Sequence, residues 1–520
     1  MENITSEDAT SSHSFLLITA RSLVQKDNVM IFFSTVLLYV VLVAVYRLYF
    51  HSLSKYPGPK LAAVTIKTYE YHFLTGDMVR WVKSLHEKYG EVVRYGPNHL
   101  SYTAPQAWKD IYGHRTATHQ ANPKNPTFSA PKMDGHASVI AIEDEATHGR
   151  RRRIFSHAFS DRALMEQQDL VERYVRRLIE LVRTKARENR TRGLDIVKMY
   201  NWTTFDIIGD LTFGEDLENL ASGKNSAWID LVFKNIKTQV LGQCIAHYQL
   251  LAWLMRSLTP KSSLEQAQTT MRNSHDSVGR RLKLGKEGNR PDIWGLVLKN
   301  EGMNGMPRGE MDANSFLFMV AGSETTATLM SGATWLLLKN PDKYKKLTAE
   351  IRAVQRESDI DAASLRHMKY LVAVIEEALR WYPPVPFGLE RLVPKGGNRI
   401  MDDVLPENVI VVCHSPHNFL YPDEFIPERW IPEETDYKKY HEFDRREASQ
   451  PFSTGPRNCL GKNLAYYEMR AILARMLFNF DFELCPESEA WGLGQKSWAL
   501  WEKPELRVRI IERDLPEKDN

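Results

Sequence analysis

The longest apolar run in the chain lies near its N-terminus. From Val29 to Tyr46, eighteen consecutive residues include no charge, glycine or proline, and a helix of this length nearly spans the hydrocarbon core of a bilayer. A buried helix or the core of a signal peptide has a similar composition, but no small-residue cleavage site follows the run, which argues against a cleaved signal. The pattern predicts a transmembrane anchor over residues 29–46.

The charges on either side of this run predict its orientation. Residues 1–28 hold four acids and two bases, whereas residues 47–60 hold three bases and no acid. Because the positive flank of an anchor stays in the cytosol, residues 1–28 are expected to form a luminal tail, where the sequon at Asn3 is open to glycosylation. Residues 47–60 then form a basic, proline-rich hinge, and residues 61–520 form one large cytosolic body.

The patterns within the body are mostly helical, with one short region that favours strands. Helical spacing of apolar residues runs through 165–300, where most of these positions are expected to be core. Between Ile111 and Ile140 there are few aliphatic residues and many polar residues, prolines and glycines. This composition predicts a long irregular loop, which either has a function or is simply a surface loop. The local predictions are helices over Val79–Tyr89, Leu170–Val182 and Met199–Leu211, strands over Glu91–Tyr95 and His99–Tyr102, and an apolar stretch over Ile236–Leu258 that lines a channel or touches the membrane.

The longest helical pattern of the body runs from Met311 to about Asn340 and is mostly apolar, without a proline. As a helix it would be about 45 Å long, and a helix so apolar belongs at the centre of the body. Its middle carries the small and polar residues Ala321–Thr326. These either permit a close helix crossing, with hydroxyls bonded back to the preceding turn, or serve the chemistry of a site.

Two further segments complete the helical pattern. Tyr370–Trp381 is amphipathic and carries Glu377 and Arg380, whose spacing is that of a routine helix pair worth a few tenths of a kcal/mol. Lys462–Phe478 contains no proline or glycine and reads as another helix. Together these patterns predict a mainly α fold with a small β region.

Composition narrows the class of protein. With 43% hydrophobic and 26% charged residues the body is globular, and a net charge of only +3 argues against a nucleic-acid binder. The four cysteines are Cys244, Cys413, Cys459 and Cys485. They lie far apart along the chain, which suits a reducing compartment rather than a disulfide scaffold.

The candidate chemistry concentrates around one of these cysteines. The segment Phe452–Gly461 reads Phe-Ser-Thr-Gly-Pro-Arg-Asn-Cys-Leu-Gly and puts Cys459 just before the helix that begins at Lys462. Backbone N–H groups at a helix N-terminus favour a thiolate, and the glycines let another group approach the backbone closely. A lone cysteine is more often a buried apolar residue, but the full pattern resembles the cysteine signature of the cytochrome P450 superfamily. The resemblance implies a haem b cofactor whose iron is ligated by Cys459.

Four basic residues resemble the family's propionate ligands. His148 and Arg152 lie on one face of a helix predicted over 143–153 and resemble the pair that holds a haem propionate, although a run of four arginines is more often a solvated face. Arg391 and Arg457 resemble the family's remaining propionate-binding arginines. The arginines beside Arg152 would then face outward, where an acidic electron donor docks.

The middle of the long helix resembles the family's oxygen-activating motif. In that motif small residues leave a groove for dioxygen, and an acid beside an alcohol relays the protons that oxygen cleavage needs. The resemblance assigns the acid to Glu324 and the alcohol to Thr325, and it favours true monooxygenation.

Two structural elements of the family are also recognisable. Glu377 and Arg380 resemble its Glu-x-x-Arg element, and Arg429 resembles the partner arginine, so these three are expected to be structural rather than catalytic. The stretch Tyr56–Lys60 resembles the proline-rich hinge that sets the catalytic body against the bilayer. The resemblance covers nearly everything after Tyr56 and implies the haem-thiolate P450 fold behind one transmembrane helix.

The resemblance also implies an activity and partners. The chain would be a monooxygenase of the endoplasmic reticulum membrane, oxidising a lipophilic terpenoid, polyketide or alkaloid with electrons from a separate NADPH-cytochrome P450 reductase. The run Asn201–Phe213 looks most like filamentous-fungal enzymes of secondary metabolism, including the trichothecene hydroxylase-like group. Two alternatives are a haem-thiolate isomerase or dehydratase that acts without a reductase, and a non-catalytic haem-binding protein.

One departure from the family pattern lies between Cys413 and Asn418. Only four residues stand there, where the family usually has several more. The haem motifs are intact, but the packing of the nearby strand pair is expected to differ.

Overall fold

The structure is a computed structural model that describes residues 28–116, 119–126, 132–133, 135–189, 192–226, 229, 237, 240–245, 248–258, 261–284, 291–300, 306–413 and 418–514. The predicted luminal tail lies outside these residues except for Asn28, and the sequon at Asn3 lies outside them as well. The four residues between Cys413 and Asn418 are also outside the described chain, as are parts of the predicted 111–140 loop and of Ile236–Leu258.

Helices make up most of the described chain, and each helix predicted from the sequence corresponds to one of them, although the helix predicted over 143–153 begins only at Glu145. Their bounds are α1 Asn28–Phe50, α2 Lys60–Val64, α3 Lys67–Thr75, α4 Met78–Tyr89, α5 Pro105–Tyr112, α6 Glu145–Ser156, α7 Asp161–Glu188, α8 Ile196–Phe213, α9 Asn219–Ser222, α10 Gln249–Leu258, α11 Lys261–Lys283, α12 Ile293–Asn300, α13 Arg308–Lys339, α14 Pro341–Ile351, α15 Ala362–His367, α16 Lys369–Trp381, α17 Tyr437–Phe443 and α18 Lys462–Asn479.

The β structure is small, as predicted, and forms four separate sheets. In the largest the strand order is β1-β2-β7-β4, with β2 and β7 parallel and the other neighbours antiparallel. The others have the orders β3-β11-β8, β5-β6 and β10-β9. The strands are β1 Val92–Gly96, β2 His99–Tyr102, β3 Leu194–Asp195, β4 Arg391–Leu392, β5 Asn398–Ile400, β6 Asp403–Leu405, β7 Ile410–Cys413, β8 Phe480–Leu484, β9 Ser497–Trp498, β10 Leu500–Trp501 and β11 Arg507–Glu512.

Helix α13 runs through the core, as its apolar sequence predicts. It begins at Arg308, three residues earlier than predicted, after the extended residue Pro307, and it ends before Asn340 and Pro341. Gly322 packs against α8, since a Cβ on this glycine would lie 2.7 Å from Ile208 Cδ1. The close crossing that the sequence left open as an alternative is therefore present at Gly322.

Helix α1 lies apart from the body. It is the one helix of the described chain that is long and apolar enough to cross a membrane, and none of its apolar window is buried. The stretch that follows is tied to the first sheet, because Arg94 donates through its backbone N–H to Pro57 O at 2.7 Å and through Nη1 to Arg47 O at 2.8 Å. The anchor is thus connected to the body by hydrogen bonds as well as by the chain.

A network of four buried charges fixes the chain after α16. Glu377 accepts two hydrogen bonds from Arg380, at 2.8 and 2.9 Å, and one from Arg429 Nε at 3.2 Å. Arg429 Nη1 in turn donates to Asp444 Oδ2 at 2.6 Å. Burial alone would raise the pKa of Glu377, but the two arginines outweigh it and the net shift is downward. Asp444 is a member that the sequence did not indicate, and it makes the network neutral.

We expect Asp444→Asn to destabilise the fold by about 3–5 kcal/mol. The Arg429 side chain is 0% exposed, and the substitution removes one of the two carboxylates that compensate its buried charge. Urea unfolding of the purified protein measures this. The control is Asp423→Asn, which breaks an ion pair with Lys83 at an aspartate that is 75% exposed and should cost less than about 1 kcal/mol. Equal losses in the two variants would contradict the assigned role of Asp444.

Candidate active site

The loop Phe452–Gly461, here called the cysteine loop, turns back on itself before α18. Cys459 N donates to Phe452 O at 2.9 Å, which closes the loop. Gly455 has φ +76°, and a Cβ there would lie 1.9 Å from Tyr112 O, so only glycine fits where the loop meets the end of α5. The sequence motif is thus explained by a close backbone approach.

The Cys459 thiol is accessible, although surrounding protein atoms raise its pKa by desolvation. Both observations hold if the thiol faces an enclosed space rather than bulk solvent, as we infer. A hydrogen bond from the Gly461 backbone and the charges of Arg152 and Lys462 act in the opposite direction and favour the thiolate. The local chemistry therefore suits a soft metal ligand.

Each predicted propionate-binding arginine is held by the protein. Arg152 donates to Asn458 O at 2.7 Å and to Asn458 Oδ1 at 2.5 Å, which ties α6 to the cysteine loop. Arg457 donates to the carbonyl oxygens of Ile142 and Glu143, both at 2.7 Å. Arg391 donates to Glu390 O at 3.1 Å, and its guanidinium lies 5.2 Å from the centre of the Tyr112 ring.

These basic groups lie near one another, and none of them forms an ion pair with a carboxylate among the residues that the structure describes. Burial and Arg391 lower the pKa of Arg457 to about 10. Burial, then Arg457 and Arg391, lower the pKa of Lys124 to about 7, although Glu143 acts the other way. For His148, which is buried, burial and the same cations lower the pKa to about 4. A cofactor with two carboxylates would relieve this repulsion, so these residues fit the propionates of haem.

Helix α13 carries an accessible stripe in its otherwise buried middle. Leu317, Val320 and Thr325 are half-buried and Ala321 is exposed, whereas the neighbouring positions on the other faces are mostly buried. Positions spaced by three and four residues share a helix face, so the stripe borders an internal space. Thr325 Oγ1 donates back to Ala321 O at 2.7 Å, in the same stripe.

Glu324 shares the helix face of Val320 and Ala321, from which it is spaced by four and three residues, but its carboxylate is not open to the stripe. Its side chain is 0% exposed and forms an ion pair with Lys503, in the segment before β11. Lys503 Nζ also donates to Thr328 Oγ1 at 2.6 Å, and Thr328 donates to Glu324 Oε1 at 3.2 Å. Glu324 Oε2 is buried without a hydrogen-bond partner among the described residues. The structure therefore does not bring the carboxylate and the Thr325 hydroxyl together.

A second buried acid joins α13 to the cysteine helix α18. Glu468 is 2% exposed and hydrogen-bonds to Thr326, the residue after Thr325. Burial raises the pKa of Glu468 to about 8, so it is mainly protonated at neutral pH. This neutral contact joins the helix that carries Thr325 to the helix that follows the cysteine loop.

Sequence reasoning missed three residues of this arrangement. Lys124 lies in the loop predicted over 111–140, where no motif marked it. Lys503 lies 179 residues from Glu324, and Glu468 occupies a helix position whose burial the sequence alone did not indicate. The one sequence feature that could have identified such a residue is a charged position within an apolar helical pattern, as Glu468 is in α18.

Comparison with known proteins agrees with this geometry. The sequence model of the cytochrome P450 family matches residues 57–508. The chain is 42% identical over 472 residues to cytochrome P450 monooxygenase FUM2 of Gibberella moniliformis, covering 89% of this chain and 99% of that protein. It is 41% identical over 489 residues to cytochrome P450 monooxygenase efuB of Hormonema carpetanum, covering 92% and 95% of the two chains. It is 40% identical over 491 residues to averantin hydroxylase of Dothistroma septosporum, covering 92% and 90%.

A mainly helical fold with an accessible cysteine beside a cluster of basic residues fits the class of haem-thiolate proteins. The chain belongs to the cytochrome P450 family and is a monooxygenase. Family membership implies a haem-iron cofactor and a redox partner. The predicted fold class and the resemblance to fungal enzymes of secondary metabolism are confirmed, and the alternative activities are not favoured.

We expect Lys503→Met to destabilise the protein by about 3–5 kcal/mol, because it removes the cation from a fully buried carboxylate. Adding Glu324→Gln to this variant should restore much of the loss, since a neutral buried pair needs no counter-charge. Urea unfolding of both single variants and the double variant measures the coupling. Additive losses would show that the two side chains are energetically independent.

The raised pKa of Glu468 predicts a pH dependence. The folded protein keeps this proton up to about pH 8, whereas an exposed glutamate loses it near pH 4.3. Stability should therefore fall as pH rises between these values, by about 1.4 kcal/mol per unit from this group. Glu468→Gln should remove that part of the slope between pH 6 and 8 in urea unfolding. An unchanged slope would contradict the buried, protonated state.

Proposed function

We propose that this monooxygenase inserts one oxygen atom of O₂ into a lipophilic secondary-metabolite intermediate, a terpenoid, polyketide or alkaloid. The observation that carries the proposal is the accessible stripe of α13, which includes Leu317, Val320 and Ala321. Apolar side chains dominate this stripe, which suits a lipophilic substrate. Averantin hydroxylase, a relative at 40% identity, supports hydroxylation as the reaction.

We propose specific roles in holding haem b. Cys459 is the axial ligand, and Arg152, Arg391 and Arg457 neutralise the propionates, helped by Lys124. His148 holds a propionate as a hydrogen-bond donor. When bound, a thiolate-ligated haem supplies the reductive activation of dioxygen. The protein's part is to keep the thiolate ionised, through Arg152 and the Gly461 backbone, and to exclude water around it.

Thr325 is the proposed proton-transfer residue. Its side chain is half-buried on the stripe and its hydroxyl donates to Ala321 O, so rotation about the Cβ–Oγ1 bond would turn the proton toward the internal space. Glu324 is the proposed acid, and its unpaired Oε2 supports a role in accepting a proton from water. Because Lys503 holds the other oxygen, we propose that Glu324 acts through an intervening water. Glu377, Arg380 and Arg429 are proposed to be structural.

The proposed location is the endoplasmic reticulum membrane, with residues 1–28 luminal, an anchor over 29–46, a hinge over 47–60 and the catalytic domain over 61–520 in the cytosol. Exposed apolar residues of α10 support contact between the body and the bilayer, since Leu250 is 80% and Trp253 is 66% exposed. The electron donor is proposed to be an NADPH-cytochrome P450 reductase.

The test is turnover with NADPH and reductase. We expect substrate oxidation to need both, and Cys459→Ala to abolish the red-shifted carbon-monoxide band of a thiolate-ligated haem. Thr325→Ala should keep NADPH oxidation but lower product formation by on the order of 10²-fold, because proton delivery fails. Lipophilic compounds that shift the haem spectrum supply the substrate for this assay.

Ser331→Ala is the matched control for Thr325→Ala. Ser331 lies on the same helix and also donates back one turn, to Ala327 O at 2.7 Å, but it is fully buried. Its removal should leave the ratio of product to NADPH unchanged. Turnover without NADPH would contradict monooxygenation and favour an isomerase or dehydratase.

A further inference from the structure

Residues 123–125, here called the loop segment, run antiparallel to the chain at β4, the edge strand of the largest sheet. Lys124 and Arg391 are direct partners in this pairing. Asn125 N donates to Glu390 O at 3.4 Å, one step along the same pairing. The loop segment is thus added to the sheet beside the residues that carry the basic cluster.

The pairing has two faces with different contacts. Directly opposite residues of an antiparallel pair lie on one face, and the next residues along each chain lie on the other. Lys124 and Arg391 share one face, where the charge of Arg391 contributes to lowering the pKa of Lys124. Asn125 and Glu390 share the opposite face, where Asn125 Nδ2 donates to Glu390 Oε2 at 2.6 Å. Two cations and a buried carboxylate are therefore held on opposite sides of one short pairing.

Glu390 uses both carboxylate oxygens on its face. The second oxygen, Oε1, accepts from the Tyr69 hydroxyl of α3 at 3.1 Å. Glu390, Asn125 and Tyr69 are only 6%, 5% and 7% exposed, so water competes little for these bonds. Burial raises the pKa of Glu390 to about 6, against the effect of its two donors, and the carboxylate is mostly ionised at neutral pH. These three residues, here called the Glu390 clamp, join the loop segment to β4 and to α3.

The opposite face gives a physical reason for the clamp. Like charges directly opposite one another destabilise a strand pair, and neither Lys124 nor Arg391 forms an ion pair among the residues that the structure describes. Backbone oxygens hold them instead, since Lys124 Nζ donates to Ile140 O and Arg391 Nη1 donates to Glu390 O. Hydrogen bonds to an ionised acceptor are stronger than neutral ones. The clamp therefore opposes the repulsion that would separate the loop segment from β4.

We propose that Glu390 and Asn125 are positioning residues for the haem propionates, because they keep Lys124 beside Arg391. The proposal rests on the proposed role of these two cations in holding haem. The side chains of Glu390 and Asn125 lie on the face away from the basic cluster, so they act on the cofactor only through the pairing.

The test measures how fast the purified holoenzyme loses haem to an excess of apomyoglobin, together with urea unfolding of the same variants. Asn125→Ala should speed haem loss by about tenfold, since it removes a buried hydrogen bond to a charged group. Glu390→Gln should have a smaller effect, because glutamine still accepts from Asn125. Glu390→Leu cannot accept and should match Asn125→Ala.

Asn219→Ala is the matched control. Asn219 is 0% exposed and donates to the buried Asp206 Oδ1 at 2.7 Å, so its contact resembles that of Asn125 but joins α9 to α8. Its loss should cost comparable stability and leave the rate of haem loss unchanged. Equally fast haem loss in Asn219→Ala and Asn125→Ala would follow from general destabilisation and would overturn the proposal.

A double variant separates positioning from a purely structural role. If Asn125 acts through Lys124, Lys124→Met should speed haem loss by itself. Adding Asn125→Ala should then speed it little further, while still lowering the free energy of unfolding. Effects on haem loss that multiply in the double variant would show that the two residues act independently, against the proposal.

Tyr69→Phe is a milder variant for the case in which Asn125→Ala does not fold. It removes one hydroxyl from Glu390 and should speed haem loss by less than tenfold in the wild-type background and little in Lys124→Met. The same rate in wild type and Tyr69→Phe would contradict the clamp.

The outcomes also distinguish this proposal from the proposed function. Unchanged haem loss in Lys124→Met would overturn the cofactor role of Lys124, and the positioning role with it. Fast haem loss in Lys124→Met with unchanged loss in Asn125→Ala would overturn the positioning role alone. The carbon-monoxide band and NADPH-dependent turnover test monooxygenation independently of both.

Discussion

Repulsion among neighbouring basic groups is the constraint on which the site depends. Arg391 and Arg457 lower the pKa of both Lys124 and His148, and Arg391 lowers that of Arg457. Two unit charges about 5 Å apart repel by roughly 3 kcal/mol at an effective dielectric constant of 20. One such pair is already a sizeable part of the 5–15 kcal/mol that stabilises a typical fold. We therefore expect an anionic cofactor at this place to stabilise the body, because binding to the folded state favours folding.

The need to pair buried charges also explains which residues of the site could be predicted from the sequence. Cys459 and Arg457 belong to one contiguous motif, and Glu377 and Arg380 lie three residues apart on one helix, so local geometry fixes their relation. Lys503 meets Glu324 across 179 residues, and no local rule brings these two together. Such partners depend on the tertiary fold. The sequence therefore predicts that a buried charge needs a partner of opposite charge, but it does not show which residue is that partner.

Helix α13 reconciles two interpretations that the sequence left open. Gly322 serves packing against Ile208, whereas Thr325 lies on the accessible stripe. Glu324 turns to Lys503, and Thr326 turns to Glu468. Because neighbouring residues of a helix point about 100° apart, adjacent positions meet different surroundings. Structural and chemical roles therefore coexist within five residues.

Helix α18 links three regions of different polarity. Cys459 lies three residues before its start, on one side the neutral Glu468 meets Thr326, and on another side Tyr466 and Arg470 border a cavity of about 240 Å³. The Tyr466 ring also lies 5.0 Å from that of Phe452, which opens the cysteine loop. Since the middle of α18 is almost wholly buried, the helix has little room to move. The cysteine loop is therefore supported at its first residue by a helix that is itself held in place by packing.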